Sequence, residues 1–454
     1  MIMRKAISKS YDIAVIGGGP GGIPAALAAA RRGKKVVLVE RNGFLGGAAA
    51  SGLGILGYLD RQGRPALGGI AQEVMDRLED MRGAMGHFRC PVHNSISPIS
   101  PECLKIVAVE MCREAGVDLL FNHELLDVDV NNARVTAVTV FGKCVRTIIE
   151  AQVFVDATGD GDLAYLAGAA YRSGQDASGQ MQPATLMFTV MDYDLDKLLT
   201  YAQSHPQDFG IKESYAQGYT PDFFRATPGH CFIGLREMIS KAKAAGDFDI
   251  PRDQFIYITT PVEGLLAINT SRITHIDASD PYQLSAGLET GYLQVHRLMN
   301  FLHKYVPGFE KARLSSISPT LGVRETRHFE GVYRLTREKM YSQEVRQNAI
   351  AQSAYNIDIH SAQQDHIDLT PVEEPFGIPY GCLVPRDIDG LLLSGRTISV
   401  DTDTYASVRV MGPCMAVGEA AGEAAAMAVD AQCEVRQVSV PKLRETLRKN
   451  GNLF

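Results

Sequence analysis

The sequence predicts an α/β protein in which a domain built on a parallel sheet is interrupted by an inserted α+β domain with an antiparallel sheet. Three observations lead to this prediction. Residues 11–40 have the pattern of a strand, a glycine turn, a helix and a second strand. Residues 153–168 place a buried strand before a glycine turn and the start of an apolar helix, which returns the chain to the first sheet, and residues 390–422 place a strand that ends at Gly395 before a small-residue helix. Between them, β-like runs alternate with polar loops, as is typical of an antiparallel sheet.

The first unit carries the three glycines of a Rossmann-like dinucleotide-binding turn, Gly17, Gly19 and Gly22. Gly17 permits the tight turn, Gly19 lets the backbone touch a pyrophosphate, and Gly22 lets the helix lie close to the strand. Glu40 ends the second strand, where a carboxylate accepts hydrogen bonds from a ribose diol and repels a 2′-phosphate. The unit therefore predicts FAD or NAD and disfavours NADP.

Residues 52–57 match the same glycine pattern a second time. No strand precedes this match, and no strand that ends in an acid follows it. We therefore predict a loop here and no second nucleotide site.

Composition excludes several classes of function. The chain has 454 residues, a formal net charge of −7 and no dense Lys/Arg block. These features disfavour nucleic acid and anionic lipid as partners. We find no secretory signal and no apolar stretch of membrane-spanning length, so we expect a cytoplasmic location.

The eight cysteines contain no CxxC pair and no zinc or iron–sulfur spacing. We therefore predict reduced thiols and no metal site. Electrons that leave a bound cofactor must then go to a diffusible acceptor or to a partner protein, neither of which the sequence identifies.

Two segments far along the chain distinguish FAD from NAD, because an FAD protein must also bind the flavin end of the cofactor. Residues 156–162 form a glycine turn after a buried strand, and Arg396 follows the strand that ends at Gly395. A helix rich in Ala and Gly begins near Gly412, and its amino end suits an anionic reduced flavin. Arg409 would add positive charge near the ring, although an ion pair explains it equally well.

Taken in order, these segments resemble the FAD-dependent oxidoreductases related to the flavin domain of heterodisulfide reductase. Further similar segments are residues 44–52, 184–188, 307–310, 321–327, 357–360 and 378–380. The resemblance implies a glutathione-reductase-like FAD domain with an inserted substrate domain, and backbone contact between Leu125 and adenine. The residues predicted to hold FAD are Gly17, Gly19, Pro20, Gly22, Glu40, Arg41, Gly46, Gly47, Leu125, Thr158, Gly159, Asp160, Gly395, Arg396, Arg409, Met411 and Gly412.

The remaining elements divide the chain into an FAD part over residues 1–168, a substrate (cap) domain over 169–374 and a second FAD part over 375–454. In the first part we predict helices at 69–81 and 101–115, with Ser100 as N-cap of the second. Strand patterns follow at 117–121, 125–130, 135–140 and 145–149. In the insertion, strands are predicted at 182–190, 255–260 and 265–270. The apolar stripe of a long helix is Leu284, Leu288, Val295, Leu298, Leu302 and Val306.

Three residues are the leading catalytic candidates. His360 titrates near neutral pH and lies in an Asp-x-His pattern, although a histidine that fixes a loop would look the same. Arg324 can clamp a carboxylate, unless Glu325 neutralises it. Arg327 lies three residues further on, which is the same face of a helix but the opposite face of a strand.

Weaker candidates are scattered over the insertion and the carboxy-terminal part. Cys414 can be a thiol beside the flavin or a covalent attachment point, but packing explains it better. The other candidates are Asn269, Thr270, Arg272 and Tyr380, followed by His230, Tyr257 and His328.

The preferred function is an FAD-dependent dehydrogenase or oxidase that transfers hydride from a small hydroxyl or amine compound to flavin N5. Two alternatives stay open: a reductase of an activated C=C bond, and a flavin protein that relays electrons from a protein partner. The sequence leaves the substrate and the oligomeric state open, a homo-oligomer included.

Overall fold

The computed structural model describes residues 7–209, 218–361, 365 and 367–454. In chain order, the strands of these residues are β1 (Ile7–Ile16), β2 (Val36–Glu40), β3 (Phe88–Cys90), β4 (Asn94–Ile96), β5 (Asp118–Phe121), β6 (Glu124–Asn131), β7 (Arg134–Gly142), β8 (Val145–Asp156), β9 (Tyr171–Ser173), β10 (Phe188–Met191), β11 (Cys231–Gly234), β12 (Phe255–Thr259), β13 (Leu266–Ile268), β14 (Arg313–Ile317), β15 (Arg327–Phe329), β16 (Ala349–Ser353), β17 (Ile357–His360), β18 (Ile367–Thr370), β19 (Phe376–Pro379) and β20 (Leu391–Leu393).

The α-helices of the described residues are α1 (Gly22–Arg31), α2 (Gly69–Asp80), α3 (Pro101–Glu114), α4 (Asp162–Leu166), α5 (Leu195–Ser204), α6 (Pro221–Ala226), α7 (Arg236–Ala244), α8 (Pro281–Tyr305), α9 (Gln343–Asn348), α10 (Thr402–Val408), α11 (Met411–Ala431) and α12 (Val440–Lys449). Ser100 accepts a hydrogen bond from the backbone N–H of Cys103 and caps α3, as predicted.

The first sheet has the strand order β5-β2-β1-β8-β7-β6, and β20 pairs with the carboxyl end of β8. Strands β5, β2, β1, β8 and β20 run parallel, whereas β7 and β6 are antiparallel additions. Strands β2 and β20 are buried throughout, and so are the carboxyl ends of β1 and β8, as expected for the centre of a sheet that is covered on both faces. The predicted parallel sheet, and the return of the chain to it, are confirmed.

One prediction for this sheet is wrong in detail. The sequence predicts separate strands at residues 145–149 and 153–156, but β8 is one strand of 12 residues. Its first half pairs antiparallel with β7, while β1 pairs parallel with it from Thr147 to Asp156. The polar residues Glu150 and Gln152 do not break the strand, because backbone pairing with β1 continues past them.

The second sheet is antiparallel, with the order β11-β12-β13-β10-β14. The strand predicted over residues 182–190 is shorter than expected, since only Phe188–Met191 is regular. Pro183 has no N–H to donate, and the following residues form only isolated bridges, to Ile273 and Gly322. The predicted helix stripe lies on α8, where Val295, Leu298 and Leu302 are buried.

Two hydrophobic cores correspond to the two sheets. Phe329, Leu335 and Val345 pack in the first core, although the predicted division at residue 374 assigns them to the insertion. The division points at residues 168 and 374 stay predictions. In the part of the chain that the structure describes, no helix is both long and apolar enough to cross a membrane.

Candidate active site

A cleft of about 620 Å³ opens at the carboxyl ends of β1, β2, β8 and β20, where open α/β sheets bind their ligands. Fourteen of the residues predicted to hold FAD line it: Gly17, Gly19, Pro20, Glu40, Arg41, Gly47, Leu125, Thr158, Gly159, Asp160, Gly395, Arg396, Arg409 and Met411. Gly22, Gly46 and Gly412 do not line the cleft.

The three glycines of the first turn differ in what constrains them. Gly17 has a φ of +103°, and an added Cβ would lie 2.3 Å from the carbonyl oxygen of Ala157. At Gly22 a Cβ would lie 1.7 Å from the Gly17 carbonyl oxygen. At Gly19 it would meet no protein atom closer than 3.8 Å. Packing therefore requires glycine at positions 17 and 22. At Gly19 the space that a Cβ would occupy is part of the open cleft.

Glu40 is buried at the end of β2 and lines the cleft. Its carboxylate accepts hydrogen bonds from the backbone N–H of Gly18 at 2.7 Å and from the backbone and side chain of Asn42 at 2.8 and 2.7 Å. These bonds fix the carboxylate at the rim, and an ionised carboxylate has about four acceptor positions. One position is left for a ribose hydroxyl.

The far end of the cleft is formed by Arg396 and by the amino end of α11. Arg396 donates to Asp160 at 2.6 Å, which ties the loop after β20 to the turn after β8. Added Cβ atoms at Gly418 and Gly422 would lie 2.1 Å from the carbonyl oxygens of Gly21 and Ala25, at the start of α1. The small residues of α11 thus let it press against α1, as the composition of this helix predicts. Charged side chains and backbone groups thus line both ends of the cleft, as an elongated dinucleotide requires.

A second, smaller cavity of about 140 Å³ continues from the cleft into the insertion. The residues shared by both spaces are Ala48, Val323, Arg396, Arg409 and Met411. Two of the three catalytic candidates, His360 and Arg324, line this cavity. The cavity is therefore where a small molecule could meet the part of the cofactor that lies beside α11.

His360 belongs to a buried polar network. Its Nε2 lies 3.2 Å from the Asp358 carboxylate, and its Nδ1 has no partner among the described residues. Tyr355 donates to the same carboxylate at 2.8 Å, and Arg409 lies 3.4 Å from it. Burial lowers the pKa of His360 well below its usual range, against the opposing charge of Asp358. The imidazole is therefore neutral, with one free acceptor nitrogen.

Asp358 itself is ionised. Burial alone would raise its pKa, but the interactions with His360 and with Arg409 hold that pKa well below the usual range. An anionic Asp358 keeps the proton of His360 on Nε2 and leaves Nδ1 as the acceptor.

Arg324 donates from Nη1 to the carbonyl oxygen of Pro183 at 2.5 Å and to the Thr185 hydroxyl at 2.8 Å. Burial, together with the charge of Arg409, lowers its pKa to about 9. The alternative that Glu325 neutralises Arg324 is wrong, because Glu325 bonds instead to His328 at 2.9 Å.

Arg327 lies apart from this cavity. It begins β15, and it donates to Asp162 at 2.8 Å and stacks over the Tyr165 ring in the cofactor cleft. Arg324 lies in the loop before β15 and not on a helix turn shared with Arg327. Arg324 and Arg327 consequently serve different spaces.

A family model decides the identity of the fold and of its cofactor. The model described as FAD dependent oxidoreductase matches residues 12–447. The chain belongs to this family. It is therefore an FAD-dependent oxidoreductase, and FAD is its cofactor.

Two curated relatives match shorter parts of this FAD-dependent oxidoreductase. Thiamine thiazole synthase from Aeropyrum pernix is 32% identical over 159 residues, which are 33% of this chain and 54% of that protein. The soluble pyridine nucleotide transhydrogenase from Mycobacterium bovis is 59% identical over 39 residues, 9% of this chain and 8% of that protein. The chain thus spans about half of the first relative and a small part of the second.

Among solved structures, a geranylgeranyl bacteriochlorophyll reductase-like protein from Thermoplasma acidophilum is 15% identical, with a TM-score of 0.48 over 97% of this chain and 83% of that one. The p-nitrophenol 4-monooxygenase from Pseudomonas putida is 13% identical, with a TM-score of 0.49 over 97% and 84%.

The weaker candidates separate into two groups. Asn269 lines the cavity and Cys414 lines the cofactor cleft, where its thiol contacts the carbonyl oxygens of Val408 and Arg409. The others do not line the cavity: Thr270, Arg272, Tyr380, His230, Tyr257 and His328. Thr270 bonds to the backbone of Ile256, for example, and Tyr380 to that of Val435.

Sequence reasoning misses several residues of the cavity, above all Arg252, His93 and Tyr355. Arg252 follows Pro251 just before β12, and no motif surrounds it. An arginine just before a buried strand is the only signal that the sequence offers there.

Proposed function

We propose that the protein oxidises a small polar metabolite, a hydroxyl or amine compound, in the cavity lined by His360 and Arg324. One observation carries the proposal. The cavity shares Arg396, Arg409 and Met411 with the cofactor cleft, and it holds a neutral imidazole with an unpartnered nitrogen among the described residues. Bound FAD supplies the hydride acceptor for such an oxidation at its N5 position.

His360 is the proposed base. Oxidation of a hydroxyl or amine group releases a proton, and Nδ1 of His360 is the buried acceptor nitrogen that faces no described donor. Asp358 holds the ring through Nε2 and stabilises the imidazolium that forms. Tyr355 and Arg409 keep Asp358 in place and ionised.

The size of the cavity supports a small substrate. A protein cavity of about 150 Å³ holds benzene. A space of about 140 Å³ therefore suits a molecule of roughly six non-hydrogen atoms. Larger substrates would have to extend into the cofactor cleft.

Reduction of an activated C=C bond is the second candidate, and the arginines favour it. Hydride addition to such a bond places negative charge on the activating group, which Arg324 and Arg409 in the cavity would stabilise. A protein that only relays electrons needs no enclosed polar cavity, so the presence of the cavity does not support the electron-relay function. The finer relation to the flavin domain of heterodisulfide reductase stays a prediction from the shared segments.

The direct test is a screen of small hydroxyl and amine compounds against the FAD-loaded protein under anaerobic conditions, followed by flavin absorbance. We expect at least one compound to bleach the flavin. The variant His360→Ala should slow this bleaching by about 10²- to 10⁴-fold, because it removes the base. Arg324→Ala is tested beside it, and dithionite reduction of each variant shows that its flavin is still redox-active.

The outcomes separate the candidates. Bleaching that both variants leave unchanged would remove the catalytic roles and leave the cofactor in place. If no compound bleaches the flavin, but enoates reoxidise the dithionite-reduced protein, the reductase is correct instead.

A further inference from the structure

The cavity contains more positive charge than its carboxylates balance. Four arginines line it, and Asp358 is the one carboxylate among its described lining residues. Arg396 pairs with Asp160 at 2.6 Å, and Arg409 pairs with Asp358 at 3.4 Å. Arg252 and Arg324 have no carboxylate within ion-pair distance among the described residues. The lining therefore holds two cations without a counter-anion.

Arg252 is the less satisfied of the two. Only 2% of its surface is exposed, and its Nε is buried without an acceptor. Among the described residues, its guanidinium donates no hydrogen bond, whereas Arg324 at least donates to Pro183 and Thr185. Burial and the neighbouring charge of Arg272 lower the pKa of Arg252 to about 10, so it is still a cation at neutral pH.

A buried, unpaired guanidinium is costly, since it loses the hydration of its charge and of five N–H donors. The protein carries a net charge of −7, so the positive cavity is a local feature and not a consequence of composition. The charges of Asp253 and Asp358 act on Arg252, but neither carboxylate is close enough to pair with it. An anionic ligand in the cavity would supply the missing partner.

We propose that the cavity is a carboxylate-binding site in which Arg252, together with Arg324, holds the acid group of the substrate. The planar fork of arginine matches a carboxylate through two parallel hydrogen bonds. If the proposed oxidation is correct, on which this part rests, the substrate is a hydroxy or amino acid of roughly six non-hydrogen atoms. Its carboxylate then lies at the arginines, and its hydroxyl or amine group at His360.

The test measures binding without turnover. Propionate and its neutral isostere propionamide are titrated into the FAD-loaded protein, and binding is followed by calorimetry and by perturbation of the flavin spectrum. Sodium chloride at equal ionic strength is the control. We expect propionate to bind at least about tenfold more tightly than propionamide, since a bond between charged groups is stronger than a neutral one.

Variants then assign the site. Arg252→Met should weaken propionate binding about 10- to 100-fold and weaken propionamide binding much less, since the neutral amide makes the weaker bond to the guanidinium. Arg252→Lys keeps the charge but loses the fork, so its propionate affinity should fall between that of Arg252→Met and that of the wild type. Equal affinity of the wild type for acid and amide would overturn the proposal, and so would an equal response to chloride or full propionate affinity in Arg252→Met.

This experiment is independent of the proposed oxidation. If neutral alcohols bleach the flavin but the protein does not prefer propionate to propionamide, the oxidation is supported and the carboxylate site is refuted. Tight, Arg252-dependent propionate binding in a protein whose flavin no hydroxyl or amine compound bleaches would support the site and refute the oxidation.

Discussion

The cofactor cleft and the cavity beside it treat buried charge in opposite ways. In the cleft, Arg396 pairs with Asp160 and Arg327 pairs with Asp162, so these two cations have their counter-anions in the protein. In the cavity, Arg252 and Arg324 form no ion pair with a carboxylate of the described residues, although Asp358 lines the same space. The arginines of the cleft are therefore fixed by ion pairs within the protein. The unpaired arginines of the cavity would form their ion pair with a bound ligand.

The strongest way to sharpen this comparison is to break one pair of the cleft. Arg396→Met leaves Asp160 buried without its cation, and we expect a loss of about 3–5 kcal/mol in the free energy of unfolding. Urea denaturation measures it. Arg31→Met is the matched control, because its pair with Glu73 is partly exposed and should contribute less than about 1 kcal/mol. Equal losses of unfolding free energy in the two variants would refute the claim that the Arg396–Asp160 pair stabilises the cleft.

The glycines of the cleft give the next effect. Gly22→Ala places a Cβ 1.7 Å from the Gly17 carbonyl oxygen, so we expect the apoprotein to lose about 3 kcal/mol of stability. Gly19→Ala should leave the apoprotein stable but lower its FAD affinity at least about tenfold, because its Cβ enters only the cleft. Thermal unfolding of the apoprotein and flavin titration separate the two. A Gly19→Ala variant with normal FAD affinity would contradict the assignment.

The cavity should contribute a pH dependence through His360. Because its pKa is lowered in the folded state, the unfolded chain takes up a proton that the folded protein refuses. Stability therefore falls as the pH falls below about 6.5, by about 1.4 kcal/mol per pH unit for this group. His360→Gln should show a pH profile of unfolding that is flatter by this amount. An unchanged slope would mean that His360 is protonated in the fold.

The smallest expected effect is that of Arg252→Met, which should raise the free energy of unfolding where Arg396→Met lowers it. Replacement of an unpaired buried cation by an apolar side chain of similar length removes a desolvation cost, so Arg252→Met should gain about 1 kcal/mol without ligand. Chemical denaturation in a buffer free of carboxylates measures this gain. A loss of stability would show that Arg252 has a structural partner and would remove the contrast between the two regions.

The comparison also explains what the sequence can predict. The glycine turn, Glu40 and the small-residue helix are local patterns, because each of their functions is encoded within one strand–turn–helix unit. Most of the residues predicted to hold FAD consequently line the cleft. The Asp-x-His spacing points to His360, and the network with Asp358 explains that spacing.

The cavity is assembled differently. Arg252 precedes β12, His93 lies between β3 and β4, and Tyr355 lies between β16 and β17, so only tertiary packing brings them together. Whether Arg324 and Arg327 share a site depends on whether their segment is helical or extended, which the sequence leaves open. Arg324 lies in the loop before β15 and Arg327 begins the strand, and the two side chains line different spaces.

The most direct test of the account is a crystal structure of the FAD-loaded protein with bound propionate. We predict that the flavin ring lies at the boundary formed by Arg396, Arg409 and Met411, and that the propionate carboxylate lies within hydrogen-bond distance of Arg252. A flavin ring placed elsewhere, or a cavity filled by the protein's own side chains while propionate binds outside it, would contradict the account.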